Sequence, residues 1–581
     1  MRVAVVGGGP SGLVVLKYLT TVHNFQPVDP IEAQLFEAED SVGGTFTYRT
    51  YEDAELVSST ELTAFSDFRC NGGPDYLPAL SYIKYLNDYC TRFNLWPHIK
   101  LSTCVTRVQR RQGGGHTVTF TSKDGETGLW ECDAVAICSG LHVRPNIPDI
   151  DGLENVPVIF HSSKYKKREQ LGNGNVLILG TGETAMDIAY FSVTSDKTKS
   201  TTISHRDGFV IATKRTPGVT LFGRGGSGLK DNGVPSDVST PTLFALSCIH
   251  PRVRNSDYWN VIQKAVVKTV WWLMTGTTLG YNQWVGTLPD QDFGKFRFFY
   301  TKSSRAMPYI SAPYRSRNML QRIRSAIIES PVPDTAGKRI DLAPWPEYID
   351  PKGVVHFRRT NRPESKMFEN SSYKPDVVVL ATGYTQQFPF IDDSYPLPDE
   401  ADVRGIWKTG DETVGFIGFV RPSFGAIPPL AEMQSQLWVL SLINKIPKPL
   451  GPARNYLLEN NPSCRIQYGV EHDAYAYQLA CDVGGAASFL EALSRGWRVW
   501  VVWALGACPN TKFRLVGPWK WGGAEEVIKT ELFATVKRRG NIFGRILELV
   551  VLFVMTVPAT LLLYLTDGIS VICEGVKSLS T

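Results

Sequence analysis

Two glycine-rich turns, far apart in the chain, carry residue types that could cradle phosphate groups. The first follows an apolar run at residues 3–6 and reads Gly7-Gly8-Gly9-Pro10-Ser11-Gly12. Gly7 permits a tight turn, Gly9 lets the backbone approach a pyrophosphate, and Gly12 allows close packing of the helix that follows. The amides at the start of that helix can donate hydrogen bonds to phosphate oxygens. This pattern of strand, turn and helix predicts a dinucleotide site.

An acidic residue downstream strengthens this prediction. Glu37 closes the next apolar run, at the distance expected for a carboxylate that accepts hydrogen bonds from an adenosine ribose. The alternative is a simple glycine turn followed by an unrelated surface glutamate. The combination of both features favours an adenosine dinucleotide.

The second turn follows an apolar run at residues 175–179. Its candidate cofactor-binding residues are Gly180, Gly182, Glu183, Thr184 and Ala185. The next predicted strand, at residues 201–204, leads to Arg206 where NADH-binding units usually carry an acid. A guanidinium there can pair with a 2′-phosphate, so the second turn favours NADPH over NADH. The alternative for Arg206 is a solvated loop arginine.

Two further apolar runs, at residues 134–140 and 377–384, also end in glycine turns. Buried parallel strands have such continuous apolar sequences, and small residues at a strand end allow a crossing between neighbouring domains. The order of these segments predicts that the second nucleotide unit is inserted into the first. The predicted fold class is α/β, with two Rossmann-like dinucleotide-binding domains.

Composition and charge exclude several other classes of protein. The net charge of +5 is small beside 61 basic and 56 acidic residues, and no polybasic run is long enough to follow a nucleic-acid backbone. We therefore expect no nucleic-acid partner. The ten cysteines form no C-x-x-C pair, and none precedes Cys70, so neither a metal site nor a disulfide reductase is expected.

The C-terminal region has a different character from the rest of the chain. Residues 546–565 are largely apolar and approach the length that spans a bilayer, with basic residues at 537–539 and 545 just before them. We expect a membrane anchor there, with a buried terminal helix as the alternative. Because an apolar run at residues 3–6 predicts a strand directly after Arg2, we expect no signal peptide. The expected location is therefore a membrane, with the catalytic domains in the cytosol and the endoplasmic reticulum as the compartment.

The chain resembles the flavin-containing monooxygenase family along nearly its whole length. The motifs that carry the resemblance lie at residues 7–12, 42–46, 65–68, 138–142, 180–185, 306–311, 381–384 and 416–418. Residues 425–428, with Glu432 and Gln434, and residues 513–521 look like the long, membrane-tailed, dimethylaniline monooxygenase-like branch. The region at about 216–318 resembles that branch's insertion.

The resemblance implies two cofactors, FAD and NADPH. The residues expected at FAD are Gly7, Gly8, Gly9, Pro10, Ser11, Gly12 and Glu37, with Gly43, Gly44, Thr45 and Phe46 nearer the flavin. NADPH is expected at Gly180, Gly182, Glu183, Thr184, Ala185 and Arg206, and Thr382 and Gly383 are further candidates. The implied reaction uses NADPH and molecular oxygen to form a C4a-hydroperoxyflavin. That species would oxygenate a nitrogen or sulfur centre of a small lipophilic nucleophile.

The resemblance also implies a division of the chain. The expected units are a first part of the FAD domain at 1–156, an NADPH domain at 157–330, a second part of the FAD domain at 331–450, a C-terminal extension at 451–545 and the anchor at 546–565.

Two departures from the family pattern concern candidate catalytic residues. Of the family signature F-x-G-x-x-x-H-x-x-x-Y/F, only His161 and Tyr165 are present, and His161 could either brace the domain linker or handle cofactor. The family's active-site asparagine is replaced within residues 56–60, where Ser58 or Ser59 could supply a hydrogen bond or be purely structural. These departures leave open a Baeyer-Villiger oxygenation of a ketone, which uses the same two cofactors. A non-catalytic membrane flavoprotein is a second alternative, from a different class.

Overall fold

The structure is a computed structural model, and the described residues cover most of both nucleotide units. They are residues 1–70, 72–206, 208–212, 214–216, 220–221, 234–238, 249–254, 300–303, 305–314, 319–320, 323, 328–329, 335–369, 371–451, 456–458, 469–507, 509–538 and 557–567. Most of the insertion predicted at 216–318 lies outside them.

A five-stranded parallel sheet forms the core of the first nucleotide unit. In spatial order its strands are Val414–Phe416, Ala134–Ile137, Arg2–Val6, Glu32–Phe36 and Ile99–Lys100. The central strand is apolar from its second residue onward because both faces of the sheet are covered. The helices Pro10–Thr21 and Ile427–Leu442 pack together in the same core.

A second five-stranded parallel sheet repeats this architecture. Its strands, in spatial order, are Ile340–Ala343, Ser200–Ser204, Asn175–Leu179, Val377–Leu380 and Val158–His161. The helix Glu183–Thr194 follows the central strand, as Pro10–Thr21 does in the first unit. The predicted α/β class with two Rossmann-like units is therefore confirmed.

The chain crosses between the two units at two adjacent points. The short strands Arg144–Pro145 and Tyr384–Thr385 belong to these crossings and pair with each other in antiparallel fashion. Strands Ile340–Ala343 and Val377–Leu380 still belong to the second sheet, so the return predicted at residue 331 is wrong. The apolar run at 377–380 would suit either sheet, which is why the sequence pattern did not determine the boundary.

Smaller elements surround the two sheets. The first unit carries an antiparallel meander formed by Thr103–Arg110, His116–Ser122 and Thr127–Cys132, and the helices Thr45–Tyr48, Thr60–Thr63 and Ala79–Arg92. The second unit carries the hairpin Pro346–Ile349 and Val355–Phe357, the strands Val210–Ala212 and Tyr300–Lys302, and the helices Met307–Ser311 and Pro363–Phe368. The C-terminal extension is mainly helical, with His472–Asp482, Phe489–Ser494, Trp497–Leu505, Ala524–Val527, Ile528–Leu532 and Phe533–Arg538.

A buried network of charges joins the C-terminal extension to the first unit. The Arg514 guanidinium lies 3.2 Å from the Asp67 carboxylate, which also accepts a 2.6 Å hydrogen bond from Lys17. Glu432 lies 3.8 Å from the same guanidinium. Burial alone would raise the pKa of Asp67, but the adjacent Lys17 and Arg514 outweigh it and hold that pKa below its ordinary value. The two cations and two anions balance each other inside the core.

The predicted membrane anchor falls only partly within the described residues. Residues 557–567 are helical and contact the segment at 249–254, where the amide of His250 donates to Thr560. Within the described part of the chain, no helix combines the length and the apolar character needed to cross a bilayer. The anchor at 546–565 stays a prediction.

The charge network leads to a prediction about stability. Arg514→Met should lower the free energy of unfolding by about 3–5 kcal/mol, because two buried carboxylates then share the single cation Lys17 and one negative charge is left uncompensated. Denaturant unfolding of the full chain measures this change. The matched control is Arg107→Met, which removes an exposed pair with Asp392 and should cost about 1 kcal/mol or less. Equal losses in the two variants would contradict the assigned role of the network.

Candidate dinucleotide-binding sites

The first glycine turn leaves no room for a side chain at two of its positions. Gly7 has a φ of +108°, and a Cβ there would lie 2.7 Å from the carbonyl oxygen of Cys138. A Cβ on Gly12 would overlap the carbonyl oxygen of Gly7. The turn therefore packs against the neighbouring strand on one side and against its own helix on the other.

Gly9 differs from these two residues because its surroundings are open. It caps the helix Pro10–Thr21, and a Cβ there would meet no atom closer than the Gly44 Cα, at 4.0 Å. The amide of Gly43 donates a 3.0 Å hydrogen bond to the carbonyl of Gly8, which places two glycine turns side by side. Thr45 then opens the helix Thr45–Tyr48. This arrangement leaves space and helix amides where a pyrophosphate would approach.

The side chain of Glu37 reaches the first turn. Its carboxylate accepts hydrogen bonds from the amides of Gly8, at 2.5 Å, and Glu39, at 2.9 Å. Burial raises the pKa of Glu37 above its ordinary value, although both amides oppose this shift. The structure thus brings Glu37 to the first turn, and its contact with a ribose stays a prediction.

The second turn repeats the construction of the first. Gly180 has a φ of +117°, and a Cβ there would overlap the carbonyl oxygen of Ala381. Gly182 caps the helix Glu183–Thr194, and a Cβ on it would meet no described atom within 4 Å. The tight glycine and the open glycine therefore occupy equivalent places in both units.

The end of the second unit's next strand carries Arg206 as an exposed side chain. Its guanidinium carbon lies 5.9 Å from the ring centroid of Trp345. The preceding His205 is buried, and its Nε2 lies 3.0 Å from the Glu364 carboxylate. Of the two basic residues, only Arg206 is thus accessible to a 2′-phosphate, and this contact stays a prediction.

His161 contacts the second crossing between the units. Its Nε2 donates a 3.0 Å hydrogen bond to the carbonyl of Gly383, and its Nδ1 accepts one from the amide of Ser163. Burial lowers the pKa of His161, which favours the neutral ring that this pattern requires. Thr382 Oγ1 donates to the carbonyl of Asn146, within the paired crossings. These contacts support the bracing interpretation of His161, and a role in cofactor handling stays untested.

The two candidate serines have different surroundings. Ser59 is fully buried, and its hydroxyl caps the helix Thr60–Thr63 by accepting from the amide of Leu62 at 3.3 Å. Ser58 donates a 2.9 Å hydrogen bond to the carbonyl of Gly425, and the ammonium of Lys302 lies 3.4 Å from its hydroxyl. Ser59 therefore caps a helix, whereas Ser58 contacts a residue from the second unit, and a catalytic role for either serine stays a prediction.

Sequence reasoning did not identify Lys302 or its partner Asp237. Their side chains are almost completely buried and lie 3.2 Å apart. Neither residue belongs to a recognisable motif, and 65 positions separate them in the chain. Only the folded structure brings them together beside Ser58.

Two parallel-sheet units, each with an open glycine at the start of a helix, define an α/β protein suited to two dinucleotides. A family model described as flavin-binding monooxygenase-like matches residues 1–219 and 353–566. The chain belongs to this flavin-binding monooxygenase-like family, which confirms the resemblance found in its motifs. It is therefore a monooxygenase, and its family supports the use of flavin and NADPH.

Relatives cover nearly the whole chain. Monooxygenase ptmN of Penicillium ochrochloron is 57% identical over 570 residues, covering 98% of this chain and 95% of that protein. Monooxygenase PC-14 of Penicillium crustosum is 59% identical over 542 residues, covering 93% and 94%. The solved S-allyl-L-cysteine S-oxygenase from Allium sativum is 17% identical, with a TM-score of 0.50, and the match covers 83% of this chain and 88% of that one. This last likeness shows the fold alone.

The two open glycines predict a matched pair of variants. Gly9→Val should fold, because the side chain enters open space, but should lose bound FAD by blocking the approach of the pyrophosphate. Gly182→Val should keep bound FAD and lose reduction by NADPH. Flavin absorbance of the purified proteins and its bleaching by NADPH measure both effects. Normal flavin content in Gly9→Val would refute the assignment of the first turn.

Proposed function

We propose that this chain is an NADPH- and oxygen-dependent FAD monooxygenase that oxygenates a nitrogen or sulfur centre of a small lipophilic molecule. The observation that carries the proposal is the repeated turn, with Gly9 and Gly182 open at equivalent points of two adjoining units. The first turn suits FAD, and the second turn suits NADPH. Family membership supports the oxygenase chemistry that this pairing serves.

The residues of the chain bind and orient the cofactors in this proposal. Residues 7–12 and Glu37 hold the adenosine diphosphate part of FAD, and residues 43–46 lie nearer the flavin. Residues 180–185 and Arg206 hold NADPH. When bound, the flavin supplies the redox chemistry and the activation of oxygen, while the protein positions it and excludes water.

A membrane location for the enzyme is part of the proposal. Leu561, Leu562 and Leu565 in the C-terminal helix are each more than half exposed, which suits contact with lipid or with a lipophilic substrate. The catalytic units would then lie on the cytosolic face, and we propose the endoplasmic reticulum as the membrane.

Incorporation of isotope-labelled oxygen tests the proposed reaction. The purified enzyme is supplied with NADPH and ¹⁸O₂, and with a tertiary amine, a thioether or a ketone in parallel reactions. We expect one ¹⁸O atom in an N-oxide or S-oxide, with NADPH consumption that rises with substrate. A labelled ester from the ketone alone would establish a Baeyer-Villiger oxygenase instead. Peroxide as the only product of oxygen, with no labelled organic product, would contradict the proposed oxygenation and favour a flavoprotein that oxygenates no substrate.

Arg206 should determine the choice between NADPH and NADH. Arg206→Ala should weaken the apparent affinity for NADPH at least about tenfold, because it removes a charge-assisted contact to the 2′-phosphate, and should change that for NADH little. Flavin bleaching titrated with each nucleotide measures the two affinities. Arg339→Ala, which alters another exposed arginine of the second unit, serves as the control. An unchanged NADPH to NADH preference would remove this role from Arg206.

A further inference from the structure

The strand Tyr300–Lys302 contacts both nucleotide units through two consecutive side chains. The hydroxyl of Thr301 donates a 2.8 Å hydrogen bond to the carbonyl of Thr181, in the second glycine turn. The ammonium of Lys302 lies 3.4 Å from the Ser58 hydroxyl, in the first unit. Successive side chains of a strand point in opposite directions, so one short strand can hold both contacts at once.

Lys302 also forms a buried ion pair with Asp237, which gives its side chain a defined position. Its partner Asp237 accepts at Oδ2 from Lys302, at 3.2 Å, and from the amide of Ser59, at 2.8 Å. The two side chains are only 4% and 0% exposed. A buried pair of this kind keeps its geometry because breaking it leaves a charge without compensation. The pair therefore fixes the backbone at residues 58–59 relative to the strand.

A continuous series of contacts leads from Ser58 to the first glycine turn. Ser58 donates to the carbonyl of Gly425, which lies two residues before the first residue of the helix Ile427–Leu442. Gln434 of that helix accepts a 2.8 Å hydrogen bond from the amide of Gly418, and Gly418 lies so close to Ser11 that a Cβ on it would overlap the Ser11 hydroxyl. Ser11 belongs to the first turn. The two turns are thus joined through packed residues from Thr181 to Ser11.

We propose that Thr301 and Lys302 are positioning residues that couple the two nucleotide sites, so that NADP⁺ on the second turn slows the release of FAD from the first. The identities of the two nucleotides rest on the proposed function. Coupling between sites is reciprocal in binding free energy, so FAD should strengthen the binding of NADP⁺ by the factor by which NADP⁺ strengthens the binding of FAD. Such linkage keeps the flavin in place for as long as the nicotinamide nucleotide is bound.

The rate of FAD release, with and without saturating NADP⁺, tests the coupling directly. The full-length holoenzyme is diluted, and the appearance of free FAD fluorescence is followed. We expect NADP⁺ to slow release from the wild-type protein at least about fivefold. Thr301→Val should reduce this ratio to about one while release without NADP⁺ stays within about twofold of wild type. Thr301→Ser keeps the hydroxyl and should keep the ratio.

Variants of Lys302 test the other end of the strand. Lys302→Met should remove the NADP⁺ effect, and Lys302→Arg should retain it because the positive charge remains beside Asp237. If Lys302→Met does not fold, the comparison of Thr301→Val with Thr301→Ser decides the question. An unchanged ratio in Thr301→Val, or faster release by the same factor with and without NADP⁺, would overturn the proposal. A wild-type protein that binds both nucleotides without linkage would overturn the proposed coupling but leave the proposed function intact. A wild-type protein that binds no FAD would refute the proposed function as well.

Discussion

In each nucleotide unit, the first glycine of the turn rests against the first carbonyl after the neighbouring strand, and the placement of the functional residues depends on this contact. Gly7 lies against Cys138 and Gly180 lies against Ala381, in both cases so closely that a Cβ would not fit. Cys138 and Ala381 each follow the last residue of a strand and begin a crossing between the units. The contact that shapes a nucleotide turn therefore also fixes where the chain leaves the sheet.

Each unit also contributes a side chain that holds the crossings. Arg49, from the first unit, donates a 3.2 Å hydrogen bond to the carbonyl of Val143, and its guanidinium lies 5.2 Å from the Tyr384 ring centroid. His161, from the second unit, donates to Gly383. Arg49 thus holds both crossings from the first unit, and His161 holds the second crossing from the second unit. Further contacts such as those of Lys302 act within that frame.

The sequence predicted the parts of this structure that are local in the chain. Both glycine turns, their helices and the strand that ends at Glu37 were predicted because turn, cap and strand end lie within a few dozen residues of each other. The return to the first sheet was predicted too early, since the run at 377–380 has the same apolar character that a strand of either sheet requires. The pairing of Lys302 with Asp237 gave no signal because nothing in a sequence records which buried charges will meet. For Ser59 the sequence left two interpretations, a hydrogen bond in the active site and a structural role, and it did not predict the helix cap.

The buried charges of the C-terminal extension explain why a distant segment belongs to the first nucleotide unit. An apolar cluster of the same volume would stabilise such a site as well or better, so stability alone does not account for the ions. A hydrogen-bonded ion pair, unlike an apolar contact, fixes the register of the segments it joins. Arg514 is 447 positions from Asp67, and Glu432 lies on the helix whose Gln434 accepts from the amide of Gly418. Gly418 packs against Ser11 in the first turn, so the C-terminal segment supports the first dinucleotide site through a single helix.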